Sequence, residues 1–330
     1  MISKTKFNLD NSQVCAVFNA AGFSDIKSIA PLTAGEFNSA YFVNADGHDY
    51  VLKVAPKNSD NTLTYEHNLM AQEIAFYKLI ESIEGVRTPK IYYYDNSKKI
   101  IPTDFFIMEK LNSKPLTELK LSKTEKVEVF KKIGENIASL HTINGNKFGY
   151  EQNGLFDNWY DAIKDMTKNL IADCQKVGKT AKNGHKLLDF IDEYKEILLN
   201  VKSTYTHFDI WDGNIFYQKA EGKIELTFID TERSFFGDCL GDFVSIDMFK
   251  SLQNKKEVLC GYNFKAQTPI VLTDEILIRY NILVAYLALI VFAEKFYRYK
   301  KFQSKYFVNI VLSKLLFNKA FKILKQKANK

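Results

Sequence analysis

The chain has 330 residues, of which 46% are hydrophobic and 25% charged, and its formal net charge is +6. These values are those of an ordinary globular protein with a sizeable core, and the modest charge argues against nucleic acid as a partner. The four cysteines have neither metal-type nor redox-type spacing, and the first 19 residues lack the apolar core of a signal peptide. We therefore expect a cytoplasmic protein.

The first informative segment, residues 32–43, precedes a strand-like stretch and contains one glycine, Gly35. A loop that covers phosphates needs backbone amides that can approach them closely, and hence a glycine. Gly35 meets this need, and we assign it, with Ser39, to nucleotide binding. A plain hairpin turn explains Gly35 equally well.

Residues 49–55 form an apolar, β-branched stretch that contains one lysine, Lys53. A buried lysine is costly unless it is paired. Kinases place such a lysine on a strand, where it reaches the nucleotide phosphates and is oriented by a glutamate of the next helix. The predicted helix, residues 62–83, offers Glu73 and Glu66, and we favour Glu73 because its apolar neighbours recur at helical spacing. The alternative is an edge-strand lysine with its amine in water.

A second buried strand is predicted over residues 104–109, followed by a polar loop. In a two-lobed kinase this segment connects the lobes and binds the edge of the adenine base. Glu109 and Leu111 would then supply backbone groups, and Met108 would line the base pocket. An ordinary exit from strand to loop is equally compatible with these residues.

The middle of the chain is predicted to be helical, with a capping box at residues 122–125 and further helices over residues 156–176 and 185–199. The helix over residues 156–176 begins with carboxylates and aromatic rings that could bind a cationic acceptor: Asp157, Trp159, Tyr160 and Asp161. Interspersed lysines make this segment nearly neutral, so a solvated helix face with core aromatics is the favoured alternative.

The most specific motif spans residues 206–230, where Asp209 is followed by Asn214 and then by Asp230. Phosphoryl transfer needs a carboxylate beside the acceptor hydroxyl and oxygen ligands for magnesium on the nucleotide phosphates. Asp209 suits the first role. Asn214 and Asp230 suit the second, because Mg²⁺ prefers hard oxygen donors. A predicted hairpin with its turn at residues 220–222 would bring these two ligands together. The alternative is that the acids cap turns.

The C-terminal part contains an apolar run, residues 282–293, that we expect to be too short to cross a bilayer and to form a central helix. The lysine-rich tail, residues 299–330, could be a basic amphipathic helix for a membrane surface or RNA. We favour a closing helix whose lysines face water, and hence no membrane or nucleic-acid partner. We expect a monomer or weak dimer. The apolar residues of the tail alternate with the lysines: Phe307, Ile310, Val311, Leu315, Phe317, Phe321 and Leu324.

Taken together, the chain resembles the aminoglycoside phosphotransferase and choline kinase group of small-molecule kinases. The resemblance lies in residues 206–214, 229–232 and 237–243, and with the lysine strand and the interlobe connection it spans residues 30–245. It implies an α+β, protein-kinase-like fold of two lobes. A small lobe with an antiparallel sheet and one helix would cover residues 1–109, and a large, mostly helical lobe residues 110–330.

The resemblance also implies roles for individual residues. Lys53 would contact the phosphates of ATP or GTP with Glu73 orienting it, Asp209 would be the catalytic base, and Asn214 and Asp230 would hold Mg²⁺. Two further residues would support the catalytic loop. His207 resembles the structural histidine of this group, and Asp238 is expected to cap a helix beneath the active site, in a stretch where Cys239 replaces the usual proline.

Two departures separate the chain from protein kinases. Phe208 follows the histidine where protein kinases carry arginine, and Asp230 is followed by neither Phe-Gly nor a long activation segment. We therefore expect the acceptor to be a hydroxyl of a small molecule, with an aminoglycoside-type antibiotic as the first candidate. Choline, ethanolamine, a sugar or another metabolite is the alternative. A catalytically silent nucleotide-binding scaffold would not need the lysine, the base and both metal ligands.

Overall fold

The computed structural model describes residues 6–32, 35, 37–57 and 62–328. Its N-terminal part is a five-stranded antiparallel sheet with the strand order β1-β2-β3-β5-β4. Helix α1 (Asn11–Ala20) precedes this sheet and α2 (Leu69–Glu81) follows its third strand. The strands are β1 (Ile26–Leu32), β2 (Ser39–Ala45), β3 (His48–Val54), β4 (Ile91–Asp95) and β5 (Phe105–Glu109).

The two faces of this sheet are covered by different helices, and this decides the orientation of Lys53. Leu52 and Val54 of β3 belong to a buried cluster with Phe18 of α1. Because side chains alternate along a strand, Lys53 points to the opposite face, where its neighbour on β5, Phe106, packs against α2. The lysine therefore faces the helix from which a glutamate was expected.

Helix α2 is shorter than the predicted helix over residues 62–83. A single 3₁₀ turn, Thr64–Glu66, precedes it, and Asn68 then adopts a φ of +53°. This left-handed conformation interrupts a helix, and asparagine tolerates it better than most residues. The break turns Glu66 away from the face of α2 that carries Glu73.

The C-terminal part is mostly helical and is built around one large apolar cluster. Its helices are α3 (Lys123–Leu140), α4 (Trp159–Lys176), α5 (Lys182–Glu193), α6 (Lys195–Leu199), α7 (Lys256–Lys265), α8 (Asp274–Arg298) and α9 (Ser304–Ala328). The predicted capping box of Ser122 and Glu125 opens α3. The predicted helix over residues 185–199 is instead two helices, α5 and α6, which meet at Tyr194.

The strands of this part form two small sheets that carry the motif residues. In one, β6 (Lys114–Pro115) pairs with β8 (Ile215–Ala220), which pairs with β9 (Lys223–Phe228). The other pairs β7 (Thr204–Thr206) with β10 (Phe235–Gly237). The β8–β9 hairpin is the predicted one, and its turn uses Glu221 and Gly222 with φ of +50° and +78°. It places Asn214 directly before β8 and Asp230 shortly after β9.

Helix α8 is the central helix of the large lobe. It extends the apolar run in both directions to 25 residues, so the expectation that this segment is too short to cross a bilayer does not hold for the complete helix. Within the described part of the chain it alone has the length and composition of a membrane span. Its most apolar stretch of 18 residues is nevertheless 72% buried inside the protein. Burial of this kind is typical of a core helix.

Helices α3 and α7 approach each other closely through two glycines. A methyl group added at Gly134 would lie 2.6 Å from the amide nitrogen of Tyr262, and one at Gly261 would lie 2.6 Å from the carbonyl carbon of Lys131. Only glycine permits this separation of the two backbones. The close approach brings Tyr262 of α7 within 3.0 Å of His141, the residue that ends α3.

Candidate active site

Lys53 lies at the centre of a cluster of three carboxylates. Its Nζ atom is 2.7 Å from Oε2 of Glu73, 2.6 Å from Oδ1 of Asp230 and 3.5 Å from Oε2 of Glu232. The site thus joins β3, α2 and the segment after β9. The hydroxyl of Tyr77 adds to this junction, because it donates to Glu73 and accepts from the amide of Asp230.

Glu66, the other glutamate considered for Lys53, has a different partner. Its carboxylate is 2.6 Å from the guanidinium of Arg298 on α8 and accepts a hydrogen bond from the amide of Leu63. Glu73 is therefore the glutamate that pairs with Lys53, as helical periodicity had favoured.

The charges in this cluster shift one another's pKa values. Burial would lower the pKa of Lys53, but Asp230, Glu73 and Glu232 outweigh it and raise that pKa well above its ordinary value, so the amine stays protonated. Burial likewise opposes ionisation of Asp230, yet Lys53 keeps its pKa below the ordinary value. Burial and the adjacent charge of Asp230 raise the pKa of Glu232 to about 8. At neutral pH the cluster therefore pairs a cationic Lys53 with an ionised Asp230.

The catalytic loop holds Asp209 and Asn214 together. The side-chain amide of Asn214 donates to the backbone carbonyl of Asp209 at 3.0 Å and to its Oδ2 atom at 3.1 Å. Because the NH₂ group donates both of these hydrogen bonds, the amide oxygen is the atom of this side chain that could bind a metal ion. Burial raises the pKa of Asp209, an effect that the nearby Arg233 opposes.

The backbone conformation at Phe208 sets the direction in which the side chain of Asp209 points. Phe208 has a φ of +64°, which is unfavourable for a large L-residue and must be held by its surroundings. Its amide donates to Oδ1 of Asp242 at 2.7 Å, and its carbonyl accepts from Ser245. The other oxygen of Asp242 lies 2.9 Å from Nε2 of His141. The contact between α3 and α7 thus reaches the catalytic loop through His141 and Asp242.

The two residues expected to support this loop occupy different places. His207 is fully buried, and its Nδ1 atom accepts from the amide of Asp209 at 3.4 Å. Asp238 accepts from the amide of Leu240 and so caps the short 3₁₀ helix Cys239–Phe243. Asp238 also forms a two-pronged ion pair with Arg279 of α8, at 2.7 Å for each contact.

A chain of buried charges on the other side of Asp209 was not anticipated from the sequence. Arg233 lies 3.4 Å from Oδ1 of Asp209 and 2.6 Å from Oε1 of Glu294, a residue of α8. Glu294 is also 3.0 Å from Arg298 and accepts from the hydroxyl of Tyr65. The ring of Phe37, which follows the Gly35 loop, packs over the Arg298 guanidinium at 5.7 Å. A signal was present in the sequence, since charged residues immediately follow the apolar run of α8.

The donor set near Lys53 fits a magnesium ion. Asp230 and the amide oxygen of Asn214 are hard oxygen donors, and backbone pairing between Ile229 and Asn214 at 3.1 Å keeps the two segments adjacent. Asp230 also belongs to a group of three carboxylates, with Glu73 and Glu232, whose oxygens lie within 4.8 Å of one another. Asn214 and Asp230 could therefore hold Mg²⁺, while Lys53 limits the excess of negative charge.

The residues assigned to nucleotide binding lie around the same sheet. Gly35 has a φ of +81° and is exposed. Ser39 is buried on β2, and its hydroxyl donates to Asn8. Met108 packs beside the cluster of α2 and Phe106, and Leu111 is half-buried in the loop after β5. The amide of Glu109 donates a hydrogen bond to the carbonyl of Lys90, and its carboxylate forms an ion pair with Arg87.

The residues considered for acceptor binding are engaged within the protein itself. Trp159 is fully buried and stacks on Phe235, so its ring belongs to the core. The other three side chains have polar partners within the chain. Asp157 lies 3.2 Å from Lys147, the hydroxyl of Tyr160 donates to Asp192, and Asp161 accepts from Asn158 in the first turn of α4. With Asp157 87% exposed, this is a solvated helix face with one aromatic ring in the core.

Comparison with known proteins connects this geometry to a family. A model of the phosphotransferase enzyme family matches residues 28–249. Acyl-CoA dehydrogenase family member 11 of Rattus norvegicus is 21% identical over 263 residues, which are 76% of this chain and 32% of that protein. Its Homo sapiens counterpart is 23% identical over 231 residues, 67% of this chain and 28% of that protein. The chain therefore spans about a third of the length of these curated relatives.

Solved structures resemble the fold over almost the whole chain. A putative fructosamine-3-kinase from Haemophilus somnus has a TM-score of 0.65 at 19% identity, covering 92% of this chain and 95% of its own. A putative aminoglycoside phosphotransferase from Ralstonia eutropha has a TM-score of 0.64 at 15% identity, with coverages of 96% and 99%. A microcompartment-associated aminopropanol kinase has a TM-score of 0.60 at 17% identity, also with 96% and 99%. The predicted kinase-like α+β fold is confirmed.

Proposed function

The chain belongs to the phosphotransferase enzyme family, and we propose that it transfers the γ-phosphate of ATP to a hydroxyl group of a small molecule. One observation carries this proposal. Lys53, Asp209, Asn214 and Asp230, separated by up to 177 positions, are joined by direct hydrogen bonds or by adjacent paired backbone. A scaffold without catalysis would not require a base next to this cation and these oxygen donors.

Each residue can be given a step in such a reaction. Lys53, oriented by Glu73, would contact phosphate oxygens of the nucleotide. A Mg²⁺ ion held by Asn214 and Asp230 would neutralise charge that develops on the phosphates during transfer. Asp209 would accept the proton of the acceptor hydroxyl. The raised pKa of Asp209 brings it closer to the range in which a general base is effective.

The charges of the chain bear on the class of acceptor. A polycationic aminoglycoside needs several free carboxylates close to the base. The buried carboxylates in that region, Glu294 and Glu66, are paired with two arginines. We therefore place an amino alcohol or a sugar derivative with few positive charges ahead of an aminoglycoside.

A screen of acceptors tests the proposed function. Release of ADP and GDP from ATP and GTP would be measured with Mg²⁺ against a panel of amino alcohols, aminoglycosides, macrolides and sugars. The proposal expects turnover that depends on one class of acceptor and is lost in the Asp209→Asn variant. Nucleotide binding that requires Mg²⁺, without turnover on any acceptor, would instead favour a silent scaffold.

A further inference from the structure

Helix α9 has two unlike halves. Its C-terminal half packs against the large lobe, with Leu316, Phe317, Ala320, Phe321 and Leu324 buried. In its N-terminal half, four large apolar side chains are more than half exposed: Phe307, Val308, Val311 and Leu315. At 3.6 residues per turn these four lie in one stripe, on the side of the helix opposite the packed face. The expected closing helix therefore buries only part of its apolar surface against the rest of the protein.

The same segment carries an unusual charge. Residues 299–330 contain nine lysines and no aspartate or glutamate, whereas the preceding 298 residues contain 36 of the 45 basic residues and all 39 acidic ones. The first 298 residues thus have a net charge of −3, and the net positive charge of the protein comes from its last tenth. Such asymmetry favours a negatively charged partner for this segment.

Lysines surround the apolar stripe rather than lying on a separate face. Lys300 and Lys301 are exposed just before α9, beside Phe302, whose side chain is 80% exposed. Lys314 is exposed next to Leu315, and Lys322 follows Leu315 by seven residues, two turns farther along the same side. A surface on which apolar side chains and lysines alternate can bind a partner that offers both an apolar interior and anionic groups.

We propose that this stripe, Phe307, Val308, Val311 and Leu315 with its flanking lysines, docks into the surface of an anionic lipid bilayer. Lipid headgroups attract the lysines, and the acyl boundary accepts the apolar side chains of a helix that lies in the plane of the surface. A second copy of this helix would bring two strongly basic segments together. Nucleic acid would pair with the lysines but leave the apolar stripe in water. This peripheral contact differs from the expectation of no membrane partner, and it adds to the proposed kinase activity without depending on it.

Flotation of the intact protein with vesicles tests the proposal. The wild type should float with vesicles that contain phosphatidylglycerol, should not float with pure phosphatidylcholine, and should be released by high salt. The double variant Val311→Glu/Leu315→Glu should bind anionic vesicles about tenfold more weakly or worse, because it places two carboxylates in the stripe. Phe264→Glu, at a position that is 85% exposed on α7, is the matched control and should float like the wild type.

The remaining outcomes are separable. Thermal unfolding should be unchanged in all three proteins, since the altered side chains face water, and any nucleotide turnover should also be equal. Equal flotation of the double variant, or no preference for anionic vesicles, would overturn the proposal. A wild type that does not bind vesicles would also overturn it. In that case, equal binding of a single-stranded oligonucleotide by the wild type and the double variant would indicate a nucleic-acid partner. A dimer that the double variant cannot form would indicate a second copy of the chain.

Discussion

Glu294 of α8 lies 2.6 Å from Arg233, which in turn lies 3.4 Å from the carboxylate of Asp209. Glu294 is outside residues 28–249, the part of the chain that the family model matches. It also contacts Arg298, which packs beneath Phe37 next to the Gly35 loop. A single carboxylate of the large lobe is thus connected both to the proposed base and to the proposed phosphate-covering loop.

The first prediction concerns this carboxylate. Glu294→Gln removes the charge that holds Arg233, so the guanidinium should shift against Asp209 and misplace the base. We expect kcat to fall by about tenfold to a hundredfold with little change in the KM for ATP. Steady-state kinetics on the acceptor found by the screen would measure both constants. Glu275→Gln on the same helix is the control, because its carboxylate is exposed and lies 4.0 Å from its partner.

Loss of the buried charge could also weaken the fold, so stability has to be measured alongside. Breaking a buried pair costs about 3–5 kcal/mol when the remaining charges stay buried. A fall in kcat of the folded variant, at a temperature well below its unfolding midpoint, would support positioning of the base. An unchanged kcat in folded protein would exclude it.

The second prediction concerns the base itself. Asp209→Asn keeps the size of the side chain but removes its charge, so the side chain cannot accept the acceptor proton. Turnover should fall by about a hundredfold or more. Binding of nucleotide with Mg²⁺, measured by calorimetry, should persist, because Asn214 and Asp230 are untouched. Unchanged turnover would remove Asp209 from this role.

The parts of this site that could be predicted are those carried by short-range pattern. The β8–β9 hairpin follows from strand alternation and a Glu-Gly turn, and it delivers Asn214 and Asp230 to the same place. The choice of Glu73 followed from helical spacing. Both depend on residues close together in sequence, where periodicity determines which side chains share a face.

The parts that could not be predicted depend on long-range packing. Arg233, Glu294 and Arg298 meet only because α8 crosses the catalytic loop, and no local pattern fixes that crossing. The exact start of α2 depended on a left-handed Asn68, which propensity alone does not reveal. Trp159 was equally ambiguous, because an aromatic ring at the start of a helix fits a core or a ligand site until its neighbours are known.

The third prediction tests the close contact of α3 and α7. Gly134→Ala adds a methyl group where the backbone of α7 leaves no room, so the helices must separate. We expect a loss of about 1–3 kcal/mol in the free energy of unfolding, measured by urea denaturation. Turnover should fall as well, because the shift moves His141 and Asp242 behind the catalytic loop. Glu128→Ala, at an exposed position of α3, should leave both quantities nearly unchanged.

The fourth prediction concerns Lys255, a buried lysine before α7. Burial, with repulsion from Lys319 and Lys250, lowers its pKa from 10.5 to about 7, although Asp247 opposes this shift. Between these two values the unfolded chain binds more protons than the folded one, so this residue should make stability rise with pH from about 7 to 10. The difference in unfolding free energy between wild type and Lys255→Met should show this slope. A difference that does not vary with pH would contradict the assignment.

The most direct test of the central claim is calorimetric titration with a non-hydrolysable ATP analogue, with and without Mg²⁺. The wild type should bind the analogue, and Mg²⁺ should strengthen binding. Asp230→Asn should lose most of that Mg²⁺-dependent gain, and Lys53→Met should bind more weakly with or without the ion. If the wild type binds no nucleotide, or if both variants bind it as tightly as the wild type with the same response to Mg²⁺, the four residues do not form a nucleotide site.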